Sequence, residues 1–191
     1  MTRQAVIAYW LIPAEPAHSF FRSIIDNLAR RYDAPVFEPH LTVHAGEDRA
    51  DLARQALAES AGKCTPIKLK PLGIEQSDEF VKTLFVHFAL STELRQVNAI
   101  NCDAAQDSLR YELKPHLSLL YNKMEAAARR ELAASIVVPF SEIAFDRIKA
   151  VHCVSPTQSR ADVEAWRVVA ETALSSFRAE RSGVEESRRV T

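Results

Sequence analysis

The stretches Pro39-His40-Leu41-Thr42-Val43 and Pro115-His116-Leu117-Ser118-Leu119 repeat one short pattern in two parts of the chain, and we call them the first and the second motif. In each motif a histidine follows a proline, a hydroxyl residue stands two positions after the histidine, and aliphatic residues fill the places between and after. Because side chains alternate across a strand, the histidine and the hydroxyl residue of each motif should share one face. If the two halves of the chain pack about a pseudo-twofold axis, both faces can line a single cleft.

The segments around the motifs predict an α+β fold. Gln4 to Ile12 is a continuous apolar run typical of a buried strand, and Pro16 to Tyr32 carries apolar residues at helical spacing. After the first motif, Asp48 to Ser60 is typical of a helix, whereas Ile67 to Gln76 and Phe80 to Leu90 indicate two strands joined by a polar turn. Each half therefore places a helix before a short strand that begins Pro-His. We expect two pseudo-symmetric lobes with antiparallel sheets that enclose a central cleft, with the helices on the outside.

The remainder of the chain completes this arrangement. A helix that Ser91 or Thr92 can cap is expected to run to about Leu109, and an Ala-rich helix follows the second motif. Ile143 to Val154 and Val163 to Ala173 predict the last two strands, although the Ala and Glu content of the second also suits a helix. The final residues are charged and almost free of apolar side chains, which is typical of disorder. We expect one bilobal domain over residues 1–176 and a disordered tail over residues 177–191.

Composition limits the partners and the location of the protein. The 24 Lys and Arg residues are balanced by 25 Asp and Glu residues, so we expect no binding of long nucleic acids. Three cysteines without a CxxC spacing indicate reduced thiols, which are typical of the cytoplasm. No apolar stretch approaches the roughly 20 residues of a membrane span, and the amino end lacks a basic flank and a cleavage site. We therefore expect a cytoplasmic protein that does not bind membranes.

Two imidazoles and two hydroxyls around one cleft suit the chemistry of phosphate esters. An imidazole titrates near neutral pH, so one of His40 and His116 can remove a proton from water while the other, protonated, donates to the leaving oxygen. The hydroxyls of Thr42 and Ser118 can hydrogen-bond the non-bridging oxygens, where negative charge develops. This chemistry needs neither a metal nor another cofactor. The near-symmetry of the two motifs leaves open which histidine is the acid.

Three other side chains allow more than one interpretation. His44 would share a strand face with His40 and Thr42, and imidazoles so placed can bind zinc, although no carboxylate or cysteine stands at a spacing that completes the ligand set. Trp10 is either a core residue or the floor of a nucleotide pocket, where it would contact the substrate by stacking on a base. We interpret Trp166 as a core residue.

The chain resembles the 2H phosphoesterases, a family defined by two His-hydrophobic-Thr/Ser-hydrophobic motifs in two lobes. The resemblance is strongest to the cyclic phosphodiesterases that open ADP-ribose 1″,2″-cyclic phosphate and nucleoside 2′,3′-cyclic phosphates. It extends from about Val6 to Ala170 and is carried by three stretches: Tyr9-Trp10-Leu11-Ile12-Pro13, Phe37-Glu38-Pro39-His40-Leu41-Thr42-Val43 and Lys114-Pro115-His116-Leu117-Ser118-Leu119-Leu120-Tyr121. His44 departs from the family, which commonly has a small or aliphatic residue there, so the pocket rim can differ.

The resemblance implies a function and a set of site residues. His40 and His116 would be catalytic, and Thr42 and Ser118 would hold the phosphate. Two further substrate contacts are implied, Tyr121 and Lys82, the second of them on a strand. We expect a monomer that hydrolyses a cyclic phosphodiester on a small nucleotide-derived substrate. A 2′-5′ oligonucleotide phosphodiesterase and a non-catalytic nucleotide-binding protein are the alternatives, and retention of both histidines and both hydroxyls disfavours the second of these.

Overall fold

The computed structural model describes residues 3–106 and 111–174, which form eight β-strands and five α-helices. The strands are β1 (Gln4–Pro13), β2 (Leu41–Glu47), β3 (Ile67–Leu69), β4 (Pro71–Gln76), β5 (Leu84–Phe88), β6 (His116–Leu120), β7 (Ile143–Ser155) and β8 (Arg167–Ala173). The helices are α1 (Ala17–Tyr32), α2 (Ala50–Lys63), α3 (Thr92–Ala104), α4 (Ala126–Ser135) and α5 (Arg160–Glu164). The expected disordered tail over residues 177–191 lies outside the described residues.

All of these strands belong to one antiparallel sheet. Its order is β3-β7-β1-β2-β6-β5-β4, and β8 pairs with β7 beside β3. The α+β class with antiparallel pairing is therefore confirmed. Instead of two separate sheets, the strands of both halves form a continuous sheet, because β2 and β6 meet at one pair of residues, Leu41 and Leu117. These two leucines are the central aliphatic residues of the first and the second motif.

The two faces of the sheet have different coverings. On β1, the odd-numbered residues Ile7, Tyr9 and Leu11 belong to the main hydrophobic core, to which helices α1 to α4 contribute buried side chains. The even-numbered residues of the same strand, Trp10 among them, form a smaller cluster on the opposite face. This alternation is the one expected for a strand with both faces buried. Helices α1 to α4 therefore cover one face and leave the other available for a cavity.

A β-bulge in the first motif decides where His44 lies. Tyr9 of β1 pairs with His44, whereas the next residue, Trp10, pairs with Thr42, so the pairing skips Val43. Such an extra residue reverses the alternation of the residues that follow it. The expectation that His44 shares a face with Thr42 is therefore wrong: its ring is fully buried at 5.9 Å from the ring of Tyr9, on the face of the main core.

Two predicted strands are shorter than the sequence indicated. The stretch from Ile67 to Gln76 divides at Lys70 into β3, which pairs with β7, and β4, which pairs with β5. The stretch from Phe80 begins with a 3₁₀ turn at Phe80–Lys82, and the strand starts only at Leu84. The prediction that Lys82 lies on a strand is therefore wrong, since Lys82 ends this turn.

Helix boundaries also differ from the predictions in the second half. Helix α3 begins after Ser91, and of the two predicted caps it is Ser91 whose hydroxyl accepts from the Leu94 N–H. The helix ends at Ala104, before the predicted end at about Leu109, and residues 107–110 lie outside the described part of the chain. Before β8, a capping box between Ser159 and Asp162 starts the short helix α5, which includes the first two residues of the predicted strand, so β8 begins at Arg167 instead of Val163. In the described ranges, no helix is long and apolar enough to cross a membrane.

Candidate active site

A cavity of about 630 Å³ opens on the sheet face opposite helices α1 to α4. Strands β1, β2 and β6 and the 3₁₀ turn form much of its wall. The structure brings together around this cavity every side chain that the sequence analysis selected for the site: Trp10, His40, Thr42, Lys82, His116, Ser118 and Tyr121.

The single pairing between β2 and β6 explains why the two motifs meet. Leu41 and Leu117 are backbone partners and both are fully buried in the main core. Because side chains alternate along a strand, the residues on either side of each leucine face the cavity. An antiparallel pairing centred on the two leucines brings His40 towards the second motif's hydroxyl residue and His116 towards the first motif's.

Both histidines are held through the same ring nitrogen. The Nδ1 atom of His40 lies 2.6 Å from the carbonyl oxygen of Glu38, and the Nδ1 atom of His116 lies 2.7 Å from the carbonyl oxygen of Lys114. A carbonyl only accepts hydrogen bonds, so Nδ1 carries the proton in both rings. In the neutral state, each ring therefore keeps Nε2 as its proton acceptor.

Aromatic rings enclose His40. The indole of Trp10 stacks on the imidazole with ring centroids 3.8 Å apart and an interplanar angle of 16°. Trp166 meets the same imidazole edge to face at 5.9 Å, and Phe37 does so at 6.2 Å. Burial disfavours the charged form, so the pKa of His40 falls to about 4, even though the Glu38 carbonyl favours the protonated ring. The charge of His116 lowers this pKa further.

His116 lies closer to the charged rim of the cavity. Burial is the main cause that lowers the pKa of His116, and the charge of Lys82 adds to it, whereas the Lys114 carbonyl and Glu79 act in the opposite direction. Lys82 itself is paired with Glu79, at 3.4 Å between Nζ and Oε2. With both pKa values below the ordinary value of 6.5, both rings are mainly neutral at pH 7 in the free protein.

The two motif hydroxyls differ in their hydrogen bonding. The Ser118 hydroxyl donates to the carbonyl oxygen of Val81 at 2.7 Å. The Thr42 hydroxyl, in contrast, forms no hydrogen bond within the described chain. Thr42 is therefore the motif hydroxyl that can donate to a bound group without first breaking a contact.

Sequence reasoning missed several residues that line the cavity, above all Trp166. Its ring lies edge to face against Trp10, with centroids 5.0 Å apart, and its indole N–H is buried without a hydrogen-bond partner in the described structure. The residue stands two positions after the end of α5, so the capping-box pattern from Ser159 to Asp162 was a usable signal for the turn that places it. Three other missed lining residues are Glu79, Tyr111 and Glu112.

The described residues offer no evident metal centre. Across residues 3–106 and 111–174, no three His, Cys, Asp or Glu side chains are grouped so that they could hold a metal ion. The zinc interpretation of His44 required this residue to face the cavity together with His40, and the bulge places it on the other face of the sheet.

Known proteins resemble this chain in sequence and in fold. The family described as cyclic phosphodiesterase-like protein matches residues 5–174. The cyclic phosphodiesterase of Arabidopsis thaliana is 22% identical over 179 residues, which cover 88% of this chain and 94% of the relative. LigT of E. coli, solved in complex with 3′-AMP, aligns over 90% of this chain and 99% of its own with a TM-score of 0.52 and 16% identity. A second solved structure, described as a phosphoesterase, aligns over 91% of this chain and all of its own with a TM-score of 0.56 and 15% identity.

The solved structures show a shared fold, and the family match shows the relationship. It covers nearly all of the described chain and includes both motifs. The chain therefore belongs to the cyclic phosphodiesterase-like family of the 2H phosphoesterase superfamily, and it is a phosphodiesterase.

Proposed function

We propose that the protein hydrolyses a cyclic phosphodiester on a small nucleotide-derived substrate, with His40 and His116 as an acid–base pair and without a metal ion. One observation carries this proposal: both rings are held alike, through Nδ1 and a backbone carbonyl, beside one cavity. Each neutral ring then has Nε2 as its reactive atom. General acid–base catalysis needs two such groups within reach of one phosphate.

The proposed reaction is an in-line displacement at phosphorus. Nε2 of one histidine takes a proton from water, and the water oxygen forms a new bond to phosphorus. The bond from phosphorus to one ester oxygen of the ring breaks, and the other histidine, protonated at Nε2, gives its proton to that oxygen. The product is a phosphate monoester. The Thr42 hydroxyl, which has no hydrogen-bond partner among the described residues, would donate to a non-bridging oxygen as negative charge develops.

Substrate binding would supply the protonation state that this reaction requires. Both rings are mainly neutral in the free protein because burial lowers the pKa of His40 and of His116. The reaction needs one ring to be protonated. A phosphate anion between the rings raises the pKa of its neighbours by Coulomb attraction. Binding of the anionic substrate and uptake of one proton are therefore coupled in this proposal.

The walls of the cavity support a substrate of nucleotide size. A volume of about 630 Å³ lies in the range of small-molecule sites, and aromatic rings form part of the lining. The two lysines that line it are both paired, Lys82 with Glu79 and Lys114 with Glu112 at 2.9 Å, so the rim has no basic stripe for a long nucleic acid. E. coli LigT has been solved with 3′-AMP and with ATP, which supports a nucleotide-derived ligand here.

Two parts of the site have roles that differ from simple base recognition. One face of Trp10 is occupied by His40, so we assign to this indole the burial and support of the imidazole rather than stacking on a base. Tyr121 is buried and stacks on Phe37, with ring centroids 3.9 Å apart, so we assign to it the support of Phe37 beside the substrate.

We further propose that the chain acts as a single bilobal domain, as a monomer and in the cytoplasm. The continuous sheet across both halves supports a single unit. Buried thiols at Cys64 and Cys153 are consistent with a reducing compartment.

Replacement of either histidine by asparagine tests the acid–base pair most directly. An asparagine amide can still donate to the carbonyl that now holds Nδ1, but it has no atom at the position of Nε2. We expect His40→Asn and His116→Asn each to lower the hydrolysis of nucleoside 2′,3′-cyclic phosphates by about 10²–10⁴-fold. The product monophosphate is quantified by phosphorus NMR. As the control, His152→Asn, at a half-exposed histidine that pairs with Asp48, should keep full activity. Near-normal turnover by a folded variant of either motif histidine would contradict the mechanism.

Metal independence has its own test. After dialysis against EDTA, the protein should retain its full rate on the same substrates, because the proposed proton transfers use only imidazoles. Rates are measured before dialysis, after it and after addition of single divalent metals. A loss of activity that one metal restores would show that a metal takes part.

The two motif hydroxyls should respond differently to removal. Thr42→Val keeps the shape of the side chain and should lower kcat by about 10²-fold, as expected for a lost transition-state donor, with little change in the free energy of unfolding. Ser118→Ala should lower kcat and also destabilise the fold by about 1 kcal/mol, because it removes the bond to Val81. Urea denaturation and steady-state kinetics measure both effects. Equal stability losses in the two variants would contradict the assigned difference.

The pH dependence should show the coupling between substrate and proton. In the free protein the singly protonated pair disappears as pH rises through a pKa below 6.5, so the basic limb of kcat/KM should lie below pH 6.5. In the complex the bound anion raises that pKa, so the basic limb of kcat should lie at higher pH. Full profiles of both constants from about pH 4 to pH 9 measure the separation. Coincident basic limbs would refute the coupling.

A further inference from the structure

We propose that Glu38 and Lys149 form a positioning pair for His40, which holds the imidazole in the orientation and tautomer that leave Nε2 available in the cavity. This inference deepens the proposed function, because it rests on His40 as a proton-transfer group. Neither residue belongs to a motif, and they lie 111 positions apart in the sequence.

Glu38 is fixed at both of its polar groups. Its carbonyl oxygen accepts from Nδ1 of His40 at 2.6 Å. Each of its carboxylate oxygens accepts from Nζ of Lys149 at 2.8 Å. Pro39 stands between the two residues, and its ring fixes one backbone dihedral and restricts Glu38 to extended conformations. The position of the Glu38 side chain is thereby transmitted to the carbonyl that orients His40.

Lys149 is itself anchored in the middle of the sheet. It lies on β7, where its backbone partners are Trp10 on β1 and Glu171 on β8. Directly opposite residues of neighbouring strands project to the same face, so Lys149 shares the cavity face with Trp10. Its Nζ atom also lies 3.3 Å from Oε2 of Glu171, and the residue is only 8% exposed. A buried ammonium group is strongly favoured to keep such partners, because losing them would leave a charge without compensation.

Adjacent strands therefore control two different parts of one imidazole. Trp10 on β1 stacks on the ring face of His40, whereas Lys149 on β7 controls the ring edge through Glu38. A ring held at its face and at one edge nitrogen keeps little rotational freedom. Fixed geometry of this kind favours rate, since small misplacements of a catalytic group are costly.

The second motif has no equivalent arrangement. Its carbonyl comes from Lys114, whose side chain is 65% exposed and pairs with the 76% exposed Glu112. Surface ion pairs of this kind contribute little to positioning. We therefore expect a buried ion pair to orient His40 but not His116. This effect can be measured separately from the stability of the fold.

The test uses the full-length protein with Lys149→Met and Glu38→Gln, each of which removes the ion pair while it nearly preserves side-chain volume. Long-range proton–nitrogen NMR of the ring identifies the tautomer of His40, whose signals are assigned by their loss in His40→Asn. We expect Nδ1 to be protonated in the wild type and a shift towards the Nε2-protonated tautomer in both variants. With cyclic phosphate substrates, kcat should fall about 10- to 100-fold while KM changes less than about 2-fold.

Three further variants distinguish an effect on the position of His40 from a general effect of losing an ion pair. Lys149→Arg retains a cation with two donors for the carboxylate and should recover most of the lost kcat. Lys63→Met removes a Lys–Glu pair of similar length on the surface of α2, between Lys63 and Glu59 at 2.9 Å, and should leave tautomer and kcat unchanged. The double variant Glu38→Gln/Lys149→Met should lose no more kcat than the single variant with the larger loss, because both changes break the same ion pair.

The proposal is overturned if both folded single variants keep the Nδ1 tautomer and the wild-type kcat, or if they lose thermal stability without either change. If Lys149→Met does not fold, Glu38→Gln carries the same test, because Lys149 still has Glu171 as a partner. The tautomer is measured in the free protein and needs no turnover. Absence of hydrolysis by the wild type would therefore refute the proposed function, while a tautomer shift in the variants would still support the positioning pair.

Discussion

The backbone pairing of Leu41 with Leu117 is the contact on which the site depends. It is the only residue pair that joins β2 to β6 in the described sheet, and it lies between the histidine and the hydroxyl residue of each motif. Both leucines are fully buried against the helix-covered core, and burial of such a side chain stabilises by about 1.5–3 kcal/mol. A shift by one residue in either strand would exchange the two faces and turn a histidine into the apolar core. Hydrophobic burial on one side of the sheet thus fixes the register of the polar groups on the other.

The surroundings of the histidines combine two opposed physical effects. Stacking on Trp10 and hydrogen bonding to a carbonyl hold His40 in one orientation, but the same burial removes the water that would stabilise its charged form. The lower pKa of the ring is a direct consequence of how firmly it is held. In the proposed reaction, the negative charge of the substrate would offset this effect of burial. The contacts that hold the imidazole firmly thus lower its pKa, and a bound anion would raise that pKa again.

Much of this architecture was predictable from local sequence patterns. Strand alternation in the motifs correctly predicted that His40 and Thr42 share a face, as His116 and Ser118 do, and apolar spacing predicted the first strand and helix almost to the residue. The bulge at Val43 was not predictable, since an inserted residue changes the pairing without changing the composition. The contact between Glu38 and Lys149 was also hidden, because it depends on strand order across the sheet and not on spacing along the chain.

The ion pairs at the rim of the cavity affect how strongly it attracts phosphate compounds. Lys82 and Lys114 each have a carboxylate neighbour that also lines the cavity, and both imidazoles are mainly uncharged at neutral pH. Inorganic phosphate and abundant nucleotides are drawn to sites with a standing excess of positive charge. A cavity whose local charges largely cancel does not concentrate these anions by long-range attraction. Selection among phosphate compounds would then depend on the shape of the cavity and on the hydrogen-bond donors that a bound ester can reach.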